Sequence, residues 1–187
     1  MAKKGFPKKH GFIRNAIRDD ILQFAIPGMI VFFIELLFCA VDGARNGLSG
    51  VWGTVWGLVT HPQNLSTFSV QSIIGLALFI IGLIIMIVGQ ATLRRNYSGT
   101  VVIRDDHQLI THGIYRFTRN PMYLGLIMVV IGLPVYAVSL YGFLTSLILV
   151  PIILNRIRLE EKLLTAEFQD DYQKYKETTK KLIPFIY

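Results

Sequence analysis

Long uncharged apolar runs alternate along this chain with short polar segments rich in arginine and lysine. Ile21 to Val41 is apolar and about the length of one bilayer crossing, with Glu35 its only charge. Ser69 to Leu93 predicts a second crossing, almost wholly aliphatic from Ile73 to Val88 and stopped by Arg94-Arg95. From Asn120 to Asn155 no Asp, Glu, Lys or Arg appears in 36 residues. As one helix that run would measure about 54 Å, too long for a single crossing. Pro134 near its midpoint predicts a tight hairpin of tilted spans, and Pro151 predicts a kink in the second. The pattern therefore predicts an all-α integral membrane protein with four long transmembrane helices.

Two further features refine this picture. Between the first two crossings, LSGVWGTVWGLVT is apolar and carries Trp52 and Trp56 on one helical face. Thirteen residues reach about 20 Å, short of the roughly 30 Å hydrocarbon core, so a fifth, interfacial or re-entrant helix is expected at about 48–60. Gly75, Gly82 and Gly89 recur every seven residues. They set small residues along one stripe where another helix can pack closely.

At 187 residues the chain fits a single domain, 1–187, led by a basic tail over residues 1–20. A mean hydropathy of +0.49 and only 17% charged residues separate it from soluble proteins. Its net charge of +7 has a topological cause and points to membrane lipids, not to nucleic acid. Lys and Arg number six in residues 1–20, one in 42–68, five in 94–119 and seven from Arg156 onward. Four crossings place every rich segment on one side, and the positive-inside rule makes that side cytoplasmic, with both termini there. The single cysteine, Cys39, excludes an internal disulfide and any Cys-rich metal site, and no metal is expected. The basic start, followed by Asn15 to Asp20 and not by an apolar run, predicts no cleavable signal peptide, and KKLIPFIY predicts no lipidation.

Candidate chemistry gathers in QLITHGIYRFTRNPMY, Gln108 to Tyr123, a polar and aromatic knot between two apolar segments. Gly113 supplies backbone freedom, Asn120 stands where an N-cap belongs and Pro121 suits the first helical turn. Helix N-terminal amides pointing into the knot favour an anionic ligand. A juxtamembrane loop of headgroup-binding arginines and interfacial tyrosines fits the same residues. Glu35 is open in the same way, as a functional intramembrane carboxylate or as a protonated packing residue. Beyond the last span, Glu160, Leu164, Phe168 and Tyr172 fall at i, i+4 spacing, a face able to fold back on the knot. Arg156 and Glu160 share that spacing, which an intrahelical ion pair would also explain.

Taken together, R-x-x-R-N-P-M-Y-x-G after G-I-Y, then R-x-x-x-E-E, F-x-x-x-Y-x-x-Y and K-x-L-I-P-F, resemble the isoprenylcysteine carboxyl methyltransferase family. The broader relatives are phospholipid N-methyltransferases and, more remotely, membrane sterol reductases. The resemblance covers roughly residues 70–187, whereas residues 1–69 match only in hydropathy. It implies a cytoplasmic site for S-adenosylmethionine built from the 94–121 loop and the C-terminal helix. Cofactor contacts are implied at His107, Gln108, Leu109, Ile110, Tyr115, Asn120, Pro121, Met122, Tyr123 and Glu160. Arg156 matches the substrate-side arginine, a clamp for the acceptor carboxylate. The family usually carries His where this chain has Asn120, which can donate a hydrogen bond but cannot carry charge.

The implied reaction is methyl transfer to a membrane-embedded lipidic acceptor, best matched by the carboxylate of an isoprenylated cysteine. Three alternatives stay open on the sequence. An amine headgroup acceptor would need a base near Glu160 or Glu161. A nicotinamide-dependent reductase could draw phosphate ligands from Arg94, Arg95, Arg116 and Arg119. The third alternative is a non-catalytic membrane protein with an interfacial anion site.

Overall fold

A computed structural model describes residues 24–45, 69–93 and 109–186. The basic tail, the tryptophan segment with its fifth helix, Arg94-Arg95, His107 and Gln108 lie outside the described residues. Four α-helices follow in order: α1 (Ile26–Arg45), α2 (Val70–Leu93), α3 (Pro121–Ala137) and α4 (Leu140–Thr178), with a 3-10 turn at Gly113–Arg116 before α3.

Of these, α1, α2 and α4 are long and apolar enough to cross a membrane. The four long spans expected from the sequence are thus, among the described residues, three long helices and one short one. Helix α3 has 17 residues, about 25 Å, at the lower limit for a crossing. Large apolar side chains face outward along α1 and α2, including Phe33, Leu37, Ile84 and Ile87. In water that exposure would be unfavourable; acyl chains cover it at no cost.

The seven-residue glycine stripe of α2 packs where the sequence suggests, and its partner carries a stripe of its own. A Cβ on Gly82 would lie 2.6 Å from the Gly125 carbonyl oxygen, and one on Gly125 would lie 2.5 Å from that of Gly82. Gly132 meets the Phe79 amide and the Gly75 carbonyl in the same way, and a side chain on Gly75 would strike the Tyr136 backbone. Gly89 rests on the Met122 side chain. At Gly75, Gly82, Gly125 and Gly132 the backbone of one helix thus meets the backbone of the other directly.

The hairpin forms, four residues later than Pro134. Val138 closes α3 in the left-handed conformation at φ 53° and donates its amide to the Pro134 and Val135 carbonyls. Ser139 then caps α4, its hydroxyl accepting from the Gly142 amide at 3.0 Å and donating to Asp42 at 2.7 Å. Helix α1 lies against α4 and α3 through Glu35, Cys39 and Gly43, all buried. Glu35 is fully enclosed, and neither carboxyl oxygen has a hydrogen-bond partner among the described residues. Cys39 is buried and free, packed close to Gly142.

Helix α4 continues without interruption from the apolar hairpin into the charged segment. Pro151 lies inside it, yet the residue with non-helical dihedrals is Gln169, at φ 43° and ψ −114°. A kink thus lies at Gln169, 18 residues beyond Pro151 toward the charged end. It turns the last stretch, Asp170–Thr178, back toward the knot.

Candidate active site

Two adjacent glutamates on α4 organise the meeting of knot and helix, each with a different set of partners. Successive residues on a helix point about 100° apart, so Glu160 and Glu161 address different neighbours. Tyr123, in the first turn of α3, donates its hydroxyl to the Glu160 Oε2 at 2.6 Å. The phenol also feels the opposed charges of Glu160 and Arg156. Arg156 precedes Glu160 by one turn on the same side of α4, and both are half-buried. The structure thus brings together three of the residues singled out from the sequence: Tyr123, Arg156 and Glu160. They stand at the end of the apolar run, above a cluster of Ile153, Ile157 and Leu182 against which Tyr123, Leu124 and Ile127 pack.

Glu161 holds the loop in front of α3. Its Oε1 accepts from Arg119 Nε at 3.0 Å and from Asn120 Nδ2 at 3.3 Å, and Lys181 Nζ lies 3.7 Å from Oε2. The Arg119 guanidinium also donates to the carbonyls of Lys176 and Thr179. Asn120 Nδ2 donates to the Lys181 carbonyl at 2.9 Å. Thr118 and Lys180 form a parallel β-bridge, with the Arg119 amide donating to the Lys180 carbonyl at 2.9 Å. Side chain and main chain together strap residues 179–181 onto residues 118–120.

A second strap lies across the 3-10 turn. Gly113, at φ +63°, occupies the left-handed region that the turn requires. Tyr115 is buried, and its carbonyl accepts the Tyr175 hydroxyl at 2.5 Å. Tyr175 packs edge-on against buried Tyr172. Burial pushes both phenols above their usual value, so they remain protonated and Tyr175 stays a donor.

The other sequence candidates fall around this frame. Asn120 occupies the N-cap position of α3 without a side-chain cap; its amide nitrogen is engaged by Glu161 and Lys181 instead. Pro121 sits at the start of α3 as expected and is buried. Met122 faces the glycine stripe of α2, where it packs. Leu109 and Ile110 lie half-buried in irregular chain before the 3-10 turn. The face expected from Glu160 through Leu164 and Phe168 to Tyr172 is broken by the kink at Gln169. Beyond the kink, Tyr172 and Tyr175 supply the buried contact. Glu161 as a clamp does not emerge from the sequence motifs, although its place beside Glu160 and the Arg119-Asn120 pair are both visible there.

Residues 70–171 match the family model described as phospholipid methyltransferase, more than half of the 187-residue chain. The chain belongs to the phospholipid methyltransferase family. The matched stretch begins at α2 and ends just past the Gln169 kink, so it contains the glycine-packed helix pair, the knot and both glutamates. A probable protein-S-isoprenylcysteine O-methyltransferase of Oryza sativa is 33% identical over 118 residues, covering 62% of each chain. The protein-S-isoprenylcysteine O-methyltransferase B of Arabidopsis thaliana is 27% identical over 171 residues, 90% of this chain and 86% of that one. The match thus spans just under two thirds of the rice relative's length. Among solved structures, the eukaryotic intramembrane Ras methyltransferase ICMT (isoprenylcysteine carboxyl methyltransferase) superposes with a TM-score of 0.64 at 25% identity. That superposition covers 83% of this chain and 52% of that one.

Proposed function

We propose that this family member is a single-domain, S-adenosylmethionine-dependent methyltransferase whose acceptor is the carboxylate of an isoprenylated cysteine held in the membrane. The observation that carries the proposal is the Tyr123–Glu160–Arg156 group. It sets a hydrogen-bond acceptor and a cationic fork one helical turn apart, where α4 leaves its apolar stretch. The names of the relatives, protein-S-isoprenylcysteine O-methyltransferases in rice and Arabidopsis, support the same chemistry.

The donor set fits S-adenosylmethionine. A carboxylate offers about four lone-pair sites, so Glu160 can accept from hydroxyl or ammonium groups while Tyr123 holds it in place. His107, Gln108, Leu109, Ile110, Tyr115, Asn120, Pro121 and Met122 complete the proposed cofactor shell. Within it the Asn120 amide nitrogen acts through Glu161 and Lys181 and so holds the shell's backbone in place. When bound, S-adenosylmethionine supplies a methyl group already activated on a sulfonium.

The chain's own task is then positional. An acceptor carboxylate is a nucleophile at neutral pH, so no side chain has to remove a proton. Arg156 presents a planar fork that orients the carboxylate by two parallel hydrogen bonds. The strapped 118–120 loop and the apolar α3–α4 surface keep water from the reacting pair. An amine acceptor would need a base beside Glu160. Glu161, the nearest candidate, is already engaged by Arg119, Asn120 and Lys181, which favours the carboxylate. Arg119 is engaged in the same clamp, which argues against its serving as a phosphate ligand for a nicotinamide cofactor.

The asymmetric distribution of Lys and Arg supports a cytoplasmic site and cytoplasmic termini. The prenyl tail would then lie in the bilayer while the cofactor enters from the aqueous side. Calorimetric titration in detergent with S-adenosylmethionine and with NADPH tests the reading. Binding of the first alone is expected, and binding of NADPH alone would overturn it.

A further inference from the structure

The strap continues past Lys181 into an apolar stretch that the site does not use. Leu182 turns inward and is buried with Ile153 and Ile157, in a cluster packed by Leu124, Leu126 and Ile127. Ile127 lies six residues into α3, about 9 Å along its axis. The 179–186 segment is therefore seated beside the apolar part of the helices and not above it in water.

The neighbours of Leu182 face the other way. Ile183 is 43% exposed, Phe185 84% and Ile186 76%, and Phe117, brought alongside by the Thr118–Lys180 bridge, is 49% exposed. Four large apolar side chains thus project from two adjoining pieces of backbone. Basic groups frame them. The Arg116 guanidinium stands 5.5 Å over the Phe117 ring, and Lys180 is exposed. No acidic residue occurs in 109–120 or 179–186. Apolar and aromatic tips with a basic rim, level with the end of a membrane-spanning helix, match the upper acyl region and the phosphate layer of a bilayer.

We propose that the Arg116–Phe117 turn and the 179–186 segment form one interfacial anchor, whose partner is the anionic phospholipid leaflet on that side of the membrane. Phe117, Ile183, Phe185 and Ile186 enter the leaflet, while Arg116 and Lys180 meet lipid phosphates. The leaflet covers the outer side of the segment as α3 and α4 cover its inner side. Because Thr118, Arg119 and Asn120 are hydrogen-bonded to the same segment, the anchor fixes the loop in front of α3 relative to the membrane surface. The inference rests on the chain's crossing a bilayer and is independent of the reaction it performs.

A single tryptophan reports on it directly. In full-length protein carrying Trp52→Phe and Trp56→Phe, Phe185→Trp is introduced and the protein placed in nanodiscs, one copy per disc. The discs contain phosphatidylglycerol with phosphatidylcholine brominated either near the glycerol end or near the methyl end of its chains. The expected result is blue-shifted emission, quenched several-fold more by bromine near the glycerol end. Emission at the wavelength of water-exposed tryptophan, insensitive to bromine at either depth, would overturn the anchor. So would water-exposed emission in singly occupied discs that shifts to the blue only when two copies share one, which would make a second copy the partner. Arg116→Gln with Lys180→Gln reads the charged rim. At matched bromolipid content, quenching should fall toward the level seen when phosphatidylcholine replaces phosphatidylglycerol, and an undiminished preference for anionic lipid would overturn the role of those two cations.

Discussion

Tyr123 and Glu160 lie 37 residues apart in sequence and share a hydrogen bond of 2.6 Å, joining the first turn of α3 to the middle of α4. The bond fixes the Glu160 carboxylate where Arg156, one turn earlier, can act beside it. A charge-assisted hydrogen bond of this kind contributes about 1.5–3 kcal/mol.

Removing the hydroxyl separates positioning from contact. Tyr123→Phe is expected to weaken S-adenosylmethionine binding by a smaller factor than Glu160→Gln, because the carboxylate remains but is no longer held. For Glu160→Gln the expected loss is on the order of ten- to a hundredfold in affinity. Calorimetry on both variants, with helix content checked by circular dichroism, provides the comparison. Wild-type affinity in a folded Glu160→Gln variant would leave Glu160 outside the cofactor shell.

Arg156 is expected to serve the acceptor. Arg156→Lys keeps the charge but loses the bidentate fork, so methyl transfer to a prenylcysteine analogue should fall while cofactor affinity stays near wild type. The two measurements together decide its assignment. Loss of cofactor binding in this variant would move Arg156 to the cofactor side.

Glu161 has a different expected signature from its neighbour. Glu161→Ala leaves Arg119, Asn120 and Lys181 without their shared acceptor and should destabilise the 118–120 and 179–181 contacts by about 1–3 kcal/mol. Hydrogen–deuterium exchange should therefore rise in both stretches at once while the helices α2 and α3 stay protected. Exchange unchanged in 179–181 would show that the main-chain bridge alone holds the strap.

The α2–α3 contact can be tested with two glycines that differ only in surroundings. Gly82→Val places a side chain against the Gly125 carbonyl and should lower stability by about 1–3 kcal/mol or more. Gly28→Ala, at a helical position with nothing within 4 Å, should be neutral or gain up to about 1 kcal/mol. Thermal unfolding in one detergent measures both.

These residues also show how far the sequence could be read. The seven-residue spacing of Gly75, Gly82 and Gly89 announced a close helix contact, because small residues on one stripe have few other uses in a bilayer. The spacing could not name the partner, since Gly125 and Gly132 meet it only through tertiary packing. Tyr123, Arg156 and Glu160 were legible through the motifs that contain them. The division of labour between Glu160 and Glu161 was not, because it depends on which way α4 is rotated against the knot. The chemistry of proline points to a bend of α4 at Pro151. The kink at Gln169 stands between Phe168 and Asp170, where no Gly or Pro in the sequence announces it.

If the acceptor atom is a carboxylate oxygen, the product is a methyl ester, and its lability to base reveals it. Purified protein in liposomes containing phosphatidylethanolamine is supplied with methyl-labelled S-adenosylmethionine and N-acetyl-farnesylcysteine, and the lipid extract is treated with mild base. The expected result is label in the farnesylcysteine fraction that base releases as volatile methanol, as a methyl ester must. Label that is stable to base and runs with the phosphatidylethanolamine derivatives would contradict it and make the protein an amine methyltransferase.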